Sequence, residues 1–484
     1  MAGSASQLAI IIMVLLLSAC DSQDSKPLTS TISAKTGAVC LSPRPMTHRA
    51  DPLPAGCVEI EGRFTGRIRV TVSDGDPQAD GQVTYLMVDD DGSRVTLRFN
   101  NGTPRVQSGD RVSVTGLRRT CPGVPDLIVS SASPTPLESA MSSSLFPFAN
   151  TLGAQKTAAI LVSFQDKANP FTLSQVQDVV FNQVSSYWYD TSYGQTTVSG
   201  QAYGPYTVAL PSGVCDVDKM AELANAAAAQ VGVDVTQFSH LLYVFPYTIS
   251  CGGWIGLGTI GGLPSEAWIN GALDLHTVAH EMGHNLGLYH SKALNCGSNE
   301  SVGENCSGIE YGDLTDVMGN GYPGQYTAYQ KEQLGWLNYG NSPPVQTVST
   351  DGTYSISPLE SMDASPKALR VLRSQNPYSG YSDYYYIEYR QPTGADGVLG
   401  NLGFPNNITA GVMLHLGSDT NMDSSYLINV NPSMGSWYEA ALNVGQTYTD
   451  AAAQVSITLQ SVTASGAVLA VSIGDGKGAQ VNCN

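Results

Sequence analysis

The sequence predicts a multidomain chain in which a central α+β unit is flanked by a small N-terminal β-barrel and a C-terminal β-sandwich. Three observations predict it. From Val58 to about Ser133, apolar and polar residues alternate in short runs separated by turn residues, the two-residue period of half-buried strands. Between Ala158 and Leu337, short apolar runs interleave with stretches of helical spacing, the alternation of an α+β unit. After Asn341-Ser342-Pro343-Pro344 the helical pattern stops, and residues 345–475 read as short strands joined by turns, for which a sandwich is the economical architecture.

Composition agrees with a β-rich exported chain. Of 484 residues, 42% are hydrophobic and only 13% charged, with 50 Gly and 24 Tyr, a mix that suits a turn-rich extracellular protein. The 23 basic and 41 acidic residues leave a formal charge of −18. A chain this acidic, without a Lys/Arg cluster, is a poor partner for nucleic acid or anionic membrane surfaces.

The elements follow in order. Leu8 to Leu17 is an unbroken apolar stretch, too short to span a bilayer and the right length for a signal segment. It ends in Leu17-Ser18-Ala19-Cys20, which resembles the bacterial lipobox, so residues 1–20 read as a lipoprotein-like signal; no Lys or Arg precedes the run, and an ordinary cleaved signal is the alternative. The resemblance implies a lipid anchor on Cys20 as the protein's one tie to a membrane. Residues 21–45 form a flexible stalk. Residues 46–138 carry the strand-like runs Phe64–Val72, Val83–Val88, Val95–Phe99, Ser108–Gly116 and Leu127–Ser130, with a hairpin turn at Asp90-Asp91-Gly92. Their succession is similar to a small OB-like barrel, either a removable propeptide or a permanent domain. The acidic clusters Asp74/Asp76/Asp80 and Asp89–Asp91 offer oxygens that could hold calcium, but they match no EF-hand loop and read as solvated turns. A linker, 139–156, precedes the central unit, 157–340. That unit begins with a strand at Ala158–Phe164 and a helix over Leu173–Tyr189. Paired strands over Thr196–Leu210, an Ala-rich helix over Asp218–Val231 and a buried strand at His240–Phe245 come next. A short strand at Glu266–Gly271 leads into the helix that carries the histidines, and Tyr326–Leu337 is a closing helix. The sandwich occupies 345–476, and 477–484 is a tail.

Setting Cys20 aside leaves eight of the nine cysteines, an even number that reads as disulfides in an exported chain. Cys296–Cys306 and Cys215–Cys251 are the expected pairs; connectivity of the rest stays open.

The chemistry lies in His280-Glu281-Met282-Gly283-His284 and the following Gly287 and His290. Residues four apart on a helix are turned about 400°, so His280 and His284 project from nearly one face and can share an ion at roughly 2.0–2.1 Å. Glu281 lies a step further round, out of the ligand set but within reach of water at the metal. Gly287 can take the left-handed conformation that ends a helix, letting His290 return as third ligand. Three protein ligands leave a position open, the mark of a catalytic rather than a structural metal. His276 shares the stripe, but eight residues separate it from His284, about 12 Å of helix, so it reads as a packing residue beside the site.

These residues, with Tyr311-Gly312-Asp313 to Met318-Gly319 and the looser Tyr189–Gly200, resemble the gametolysin-type metallopeptidases of the metzincin clan over residues 158–340. The resemblance implies a mixed sheet with an active-site helix, Zn2+ as cofactor at the cleft floor, Met318 in a tight turn beneath it, and substrate along an edge strand. It implies Glu281 as the group that takes a proton from the attacking water and returns it to the leaving amine. Tyr311 and Tyr322 are candidates for supporting the oxyanion, with packing as the alternative for each. The expected activity is endopeptidase cleavage of an extracellular protein or glycoprotein. A surface lipoprotein that binds a partner through a non-catalytic metal site, and a zinc amidase on cell-wall peptide, are the alternatives.

Two weaker signals accompany it. Gly256-Leu257-Gly258-Thr259-Ile260-Gly261 spells a dinucleotide fingerprint but lacks the strand and phosphate-binding helix around it. Arg119–Asp126 resembles the latency segment of gametolysin precursors, in which a thiolate fills the open metal position; Cys121 is either such a latch or half of a disulfide.

Overall fold

A computed structural model describes residues 56–75, 81–100, 103–130, 133–138, 147–297, 302–303, 306–319, 322–376 and 381–480. The signal segment, the stalk, Cys20, Cys40, Asp76, Asp80 and Cys483 lie outside the described residues. Among the described residues no helix is long and apolar enough to cross a membrane.

Among the described residues six strands come first: β1 (Val58–Asp74), β2 (Gln82–Asp89), β3 (Arg94–Phe99), β4 (Arg111–Thr120), β5 (Asp126–Ser130) and β6 (Thr135–Glu138). The pairings β1–β2, β2–β3, β3–β5, β5–β4 and β4–β1 close into a ring. Its interior follows from alternation, with Ile68, Val70 and Val72 buried on β1 and Val112 and Val114 on β4. Gly92 takes φ +87° in the β2–β3 turn at Asp90-Asp91, as the hairpin reading requires.

The central unit contains β7 (Gly153–Phe164), a helical run of α1 (Leu173–Asp178), a π segment (Val179–Val184) and α2 (Ser185–Thr191), then β8 (Thr196–Val208), α3 (Val217–Gln230), β9 (His240–Phe245), β10 (Gly256–Thr259), β11 (Ser265–Asn270) and α4 (Leu275–Asn285). Its strands run β8-β7-β9-β11-β10, parallel except for antiparallel β10. β10 would be the edge of this mixed sheet, but the end of β1 pairs antiparallel with it, Thr71 to Thr259 and Asp74 to Gly256. Ring and catalytic sheet are therefore one eleven-stranded sheet, and one buried cluster runs from Val70 and Met87 to Val278 and Met282 of α4.

Two expectations change. Thr196–Leu210 is one strand rather than a pair: a Cβ on Gly200 would stand 2.0 Å from Thr157 O, so this glycine serves close approach to β7 instead of a turn. The closing helix is only α5 (Ala328–Gln333); Thr327 caps its start, and Gly335 at φ +71° follows it under Pro147.

Strands β12 (Lys292–Asn295) and β13 (Ser307–Ile309) precede α5, and β14 (Val345–Val348), β15 (Gly352–Ile356), β16 (Ala368–Gln375), β17 (Ser382–Tyr389), β18 (Val412–Ser418), β19 (Tyr426–Ile428), β20 (Thr447–Asp450), β21 (Val455–Thr463), β22 (Gly466–Ser472) and β23 (Ala479–Gln480) follow it. They form an eight-stranded sheet, β13-β12-β19-β18-β17-β16-β14 with β23 beside β16, and a four-stranded sheet, β15-β22-β21-β20. Val371, Ile387 and Leu414 of one share a buried cluster with Ile457, Leu459 and Leu469 of the other. β12, which follows the third histidine directly, is parallel to β19, so the metal loop and the C-terminal sheet are hydrogen-bonded together.

Disulfides join Cys215–Cys251 and Cys296–Cys306, the two expected pairs, and Cys57–Cys121. Such bonds belong to chains that mature in an oxidising compartment. The third ties Cys121 to the start of the N-terminal ring, so Cys121 is no metal latch.

Candidate metal centre

Helix α4 begins at Asp274, whose carboxylate accepts from Thr277 N at 3.0 Å, satisfying an amide the helix itself cannot. Val278, Ala279, Met282 and Leu286 pack into the core, which leaves His280, Glu281 and His284 facing the cleft. The helix ends at Gly287, φ +106°, where a Cβ would stand 2.6 Å from Gln107 Nε2 and 2.8 Å from Phe148. Only glycine suits both that φ and that space, and the turn brings His290 back to the other two.

The three imidazoles form a nearly equilateral triangle, with ring centroids 4.9, 5.3 and 5.0 Å apart. Each Nδ1 has a hydrogen-bond partner: Val317 O at 2.8 Å for His280, Leu288 O at 2.7 Å for His284, and Glu310 Oε1 at 2.6 Å for His290. Nδ1–H donation to these acceptors turns every Nε2 inward, the usual device for orienting metal-binding histidines. His276 stays outside the triangle and contacts Val317 O at 3.2 Å, the packing role expected of it. A cavity of about 70 Å³ opens beside Glu281, walled by Ile255, His276, Thr277 and Gly319.

Met318 lies in the tight turn expected of it. A Cβ on Gly283 would come within 2.5 Å of its sulfur, which explains the glycine between Met282 and His284. Glu281 is buried and its Oε2 has no hydrogen-bond partner. Burial first, then the Asp74 carboxylate, pushes its carboxyl well above the usual range. The glycines of the apparent dinucleotide fingerprint have a different use. A Cβ on Gly256 would overlap Glu281 Oε1 at 1.7 Å, and one on Gly258 would sit 2.9 Å from His284 Cβ. β10 needs both glycines to lie directly across the active-site helix.

Asp74 is the residue the sequence reading misplaced. Instead of a solvated turn it occupies the middle of the triangle, only 6% exposed. Its Oδ1 is 2.6 Å from His290 Nε2 and 3.6 Å from His280 Nε2, and its Oδ2 is 3.3 Å from His284 Nε2. Tyr311 donates to the same Oδ1 at 2.7 Å, and its ring lies 4.1 Å from that of His290. Tyr322 has no hydrogen bond to these groups. Burial opposes charge on Asp74, but His290, His280 and His284 overcome it and hold the carboxyl well below its usual range. Burial likewise opposes charge on His290, yet Asp74 and Glu310 raise it to about 9.

The donors fit a divalent metal ion. The Nε2 atoms of His280 and His284 and Asp74 Oδ2 are buried without a hydrogen bond, and all four ligand atoms lie within 4.8 Å of one another. A tetrahedral ion with bonds of about 2.05 Å has ligand–ligand edges of about 3.3 Å; Asp74 Oδ2 to His284 and Oδ1 to His280, at 3.3 and 3.6 Å, are near that edge, while the 2.6 Å contact of Oδ1 with His290 is a hydrogen bond that an ion would have to replace.

The surroundings of the triangle come from the C-terminal sheets. Glu310 lies 3.4 Å from Lys292, which pairs with Asp423 at 2.7 Å. His415 contacts Asp313 at 2.9 Å, and Arg390, paired with Glu388 and Asp396, donates to Thr315 O and Gln325 O on either side of Met318.

Three inward imidazoles, a buried carboxyl beside them and a methionine turn beneath define a metallopeptidase. Residues 168–429, more than half of the chain, match the family profile of gametolysin peptidase M11. The chain belongs to that family of metalloendopeptidases. Among solved structures, the crystal structure of metalloproteinase-II from Bacteroides fragilis is similar at 13% identity, over 53% of this chain and 87% of that one, with a TM-score of 0.24. No curated protein matches the chain.

Proposed function

We propose that this protein is an exported zinc endopeptidase that cleaves peptide bonds of extracellular proteins or glycoproteins. The observation that carries it is the convergence of three imidazole Nε2 atoms beside Glu281, a carboxyl with one oxygen unpaired and no part in holding the ion. His280, His284 and His290 hold the metal. Zinc, when bound there, supplies a Lewis acid that polarises a carbonyl and makes water more acidic.

Glu281 takes the proton of the attacking water and delivers it to the leaving amine, a role for which its place beside the three imidazoles, outside the ligand set, fits it. Tyr311 holds its hydroxyl hydrogen on an oxygen inside the triangle, presently Asp74 Oδ1. A scissile carbonyl oxygen placed there receives the same hydrogen bond, which strengthens as negative charge develops. Gly256 and Gly258 keep β10 close to Glu281, so an extended substrate paired to that strand presents its backbone to the carboxylate.

The apolar run Leu8–Leu17 and the three disulfides support export. With Cys20 lipidated, the chain is tethered through its N-terminus, and a cut after the N-terminal domain releases the peptidase. The closed ring of β1 to β5 and the two facing C-terminal sheets support reading the flanks as an OB-like barrel and a β-sandwich.

The test is hydrolysis of casein and of peptidoglycan by the full chain, before and after limited proteolysis, with and without chelator. Chelator-sensitive cleavage of casein is expected. Cleavage of peptidoglycan alone would make the protein an amidase, and metal binding with no hydrolysis of either would make it a binding module.

A further inference from the structure

We propose that the N-terminal β domain is a tethered inhibitor of the metal site, with Asp74 as the removable fourth ligand and β1 in the place of a substrate strand. It rests on the peptidase reading above.

Two independent features of β1 block the site. The first is chemical. The Asp74 carboxylate stands among all three ligand nitrogens, within the 4.8 Å circle that could enclose one ion. A fourth protein ligand turns the open set of a catalytic metal into the closed set of a structural one, and leaves water no position next to Glu281. The second is geometric. Val72, Ser73 and Asp74 pair with Gly258, Leu257 and Gly256, so the hydrogen-bonding edge of β10 is already used. Backbone pairing to a free edge is how extended peptides are commonly bound, and here the chain's own strand occupies that edge.

Gly75 and Gly81 each sit in a tight space beside the site. A Cβ on Gly75 would stand 3.1 Å from Trp254 Cα, and one on Gly81 would stand 2.4 Å from His290 Cε1 and 2.6 Å from the Tyr311 hydroxyl. Glycine at both points lets the backbone pass against the cleft wall and over the third ligand. Ties outside the cleft hold the domain in place: Arg69 pairs with Asp218 and with Glu266 at 3.1 Å, and Arg94 with Asp218 at 2.7 Å. These pairs are partly exposed, in keeping with a contact that can be released.

The test compares the zinc-loaded full chain with its Asp74→Ala variant, using a peptidyl hydroxamate, a probe that chelates the metal through two oxygens. Wild type is expected to bind the probe weakly. Asp74→Ala should keep its metal and bind about 100-fold more tightly, the factor expected if the latched form leaves about 1% of molecules open. Equal, tight binding by both proteins would overturn the proposal, because the fourth position would then be open in the intact chain. Loss of the metal from folded Asp74→Ala would also overturn it, by making Asp74 a permanent ligand. Asp74→Asn, which keeps the side chain's volume and drops its charge, makes the same comparison if the alanine variant does not fold. A variant that gains probe affinity yet cleaves no peptide even after its N-terminal domain, and with it β1, has been cut away would leave the latch standing and bring down the peptidase reading.

Discussion

The two flanking β domains meet on one imidazole. At His290 Nδ1 sits Glu310, which Lys292 links to Asp423 of the C-terminal sheet; at Nε2 sits Asp74 of the N-terminal ring. The first contact orients the ring and raises its basicity toward a metal. The second takes the metal's side of the ring. The interfaces differ in the same sense. Arg390, Glu388 and Asp396, which hold the turn around Met318, are 0% exposed, whereas the side chains of Arg69, Asp218 and Arg94 are 22%, 32% and 58% exposed. Buried, mutually satisfied charges are costly to separate, and half-exposed pairs are not. By its ion pairs the C-terminal support is the more deeply buried of the two, whereas the N-terminal ring is joined to the central unit through a strand pairing and a shared apolar cluster.

Four measurements break or sharpen that contrast. The largest effect belongs at the point both flanks enclose. Glu281→Gln should keep one equivalent of metal while cleavage by the chain freed of its N-terminal domain falls about 10³-fold, ~4 kcal/mol of barrier; retained activity would remove Glu281 from the mechanism. Next, Arg390→Leu strands two buried carboxylates and should lower unfolding stability by about 3 kcal/mol in urea titrations. A negligible loss would mean that the C-terminal sheet is not a fixed support.

The third measurement concerns the eleven-stranded sheet that the N-terminal ring joins. His240 on β9 is buried against Ser265 and Gln155, and burial lowers its pKa to about 4. The unfolded chain, at about 6.5, takes up that proton first as pH falls. The associated stability is therefore complete above about pH 6.5 and lost as pH falls through about 4, on the order of 2–3 kcal/mol. His240→Gln should lack this part of the slope, measured as unfolding free energy at pH 7.5 and 4.5; equal slopes would contradict it. Smallest is Arg69→Ala, in the N-terminal ring. Only the Arg69 pairs with Asp218 and Glu266 go, and the Arg94–Asp218 pair stays, so hydroxamate affinity of the full chain should rise about fivefold, as expected for ~1 kcal/mol, with overall stability nearly unchanged. A stability loss as large as that of Arg390→Leu, without the gain in affinity, would erase the difference between the flanks.

How far the sequence reached depended on distance along the chain. The α4 ligands, the helix-ending Gly287 and the short Cys296–Cys306 loop were legible because each depends on neighbours within about three helical turns or a small loop. Strand runs were legible by alternation, but their partners were not. The paired strands expected over Thr196–Leu210 failed because a glycine that permits close packing is indistinguishable from one that permits a turn. The use of Gly256 and Gly258 in the apparent fingerprint, making room for Glu281 and His284, needed the helix to be seen beneath them.

The sequence by itself placed His280 and His284 on one face of a helix with Glu281 beside them, because residues four apart are neighbours there, and Gly287 marked the turn that returns His290. Only the tertiary structure decided what stands opposite those ligands. Asp74 lies 216 residues from His290, in an unremarkable Asp-Gly-Asp-Pro stretch, and reaches the site through β1 pairing with β10. Strand pairing of that range leaves no local pattern, since any alternating strand can pair with any open edge until the packed core selects one.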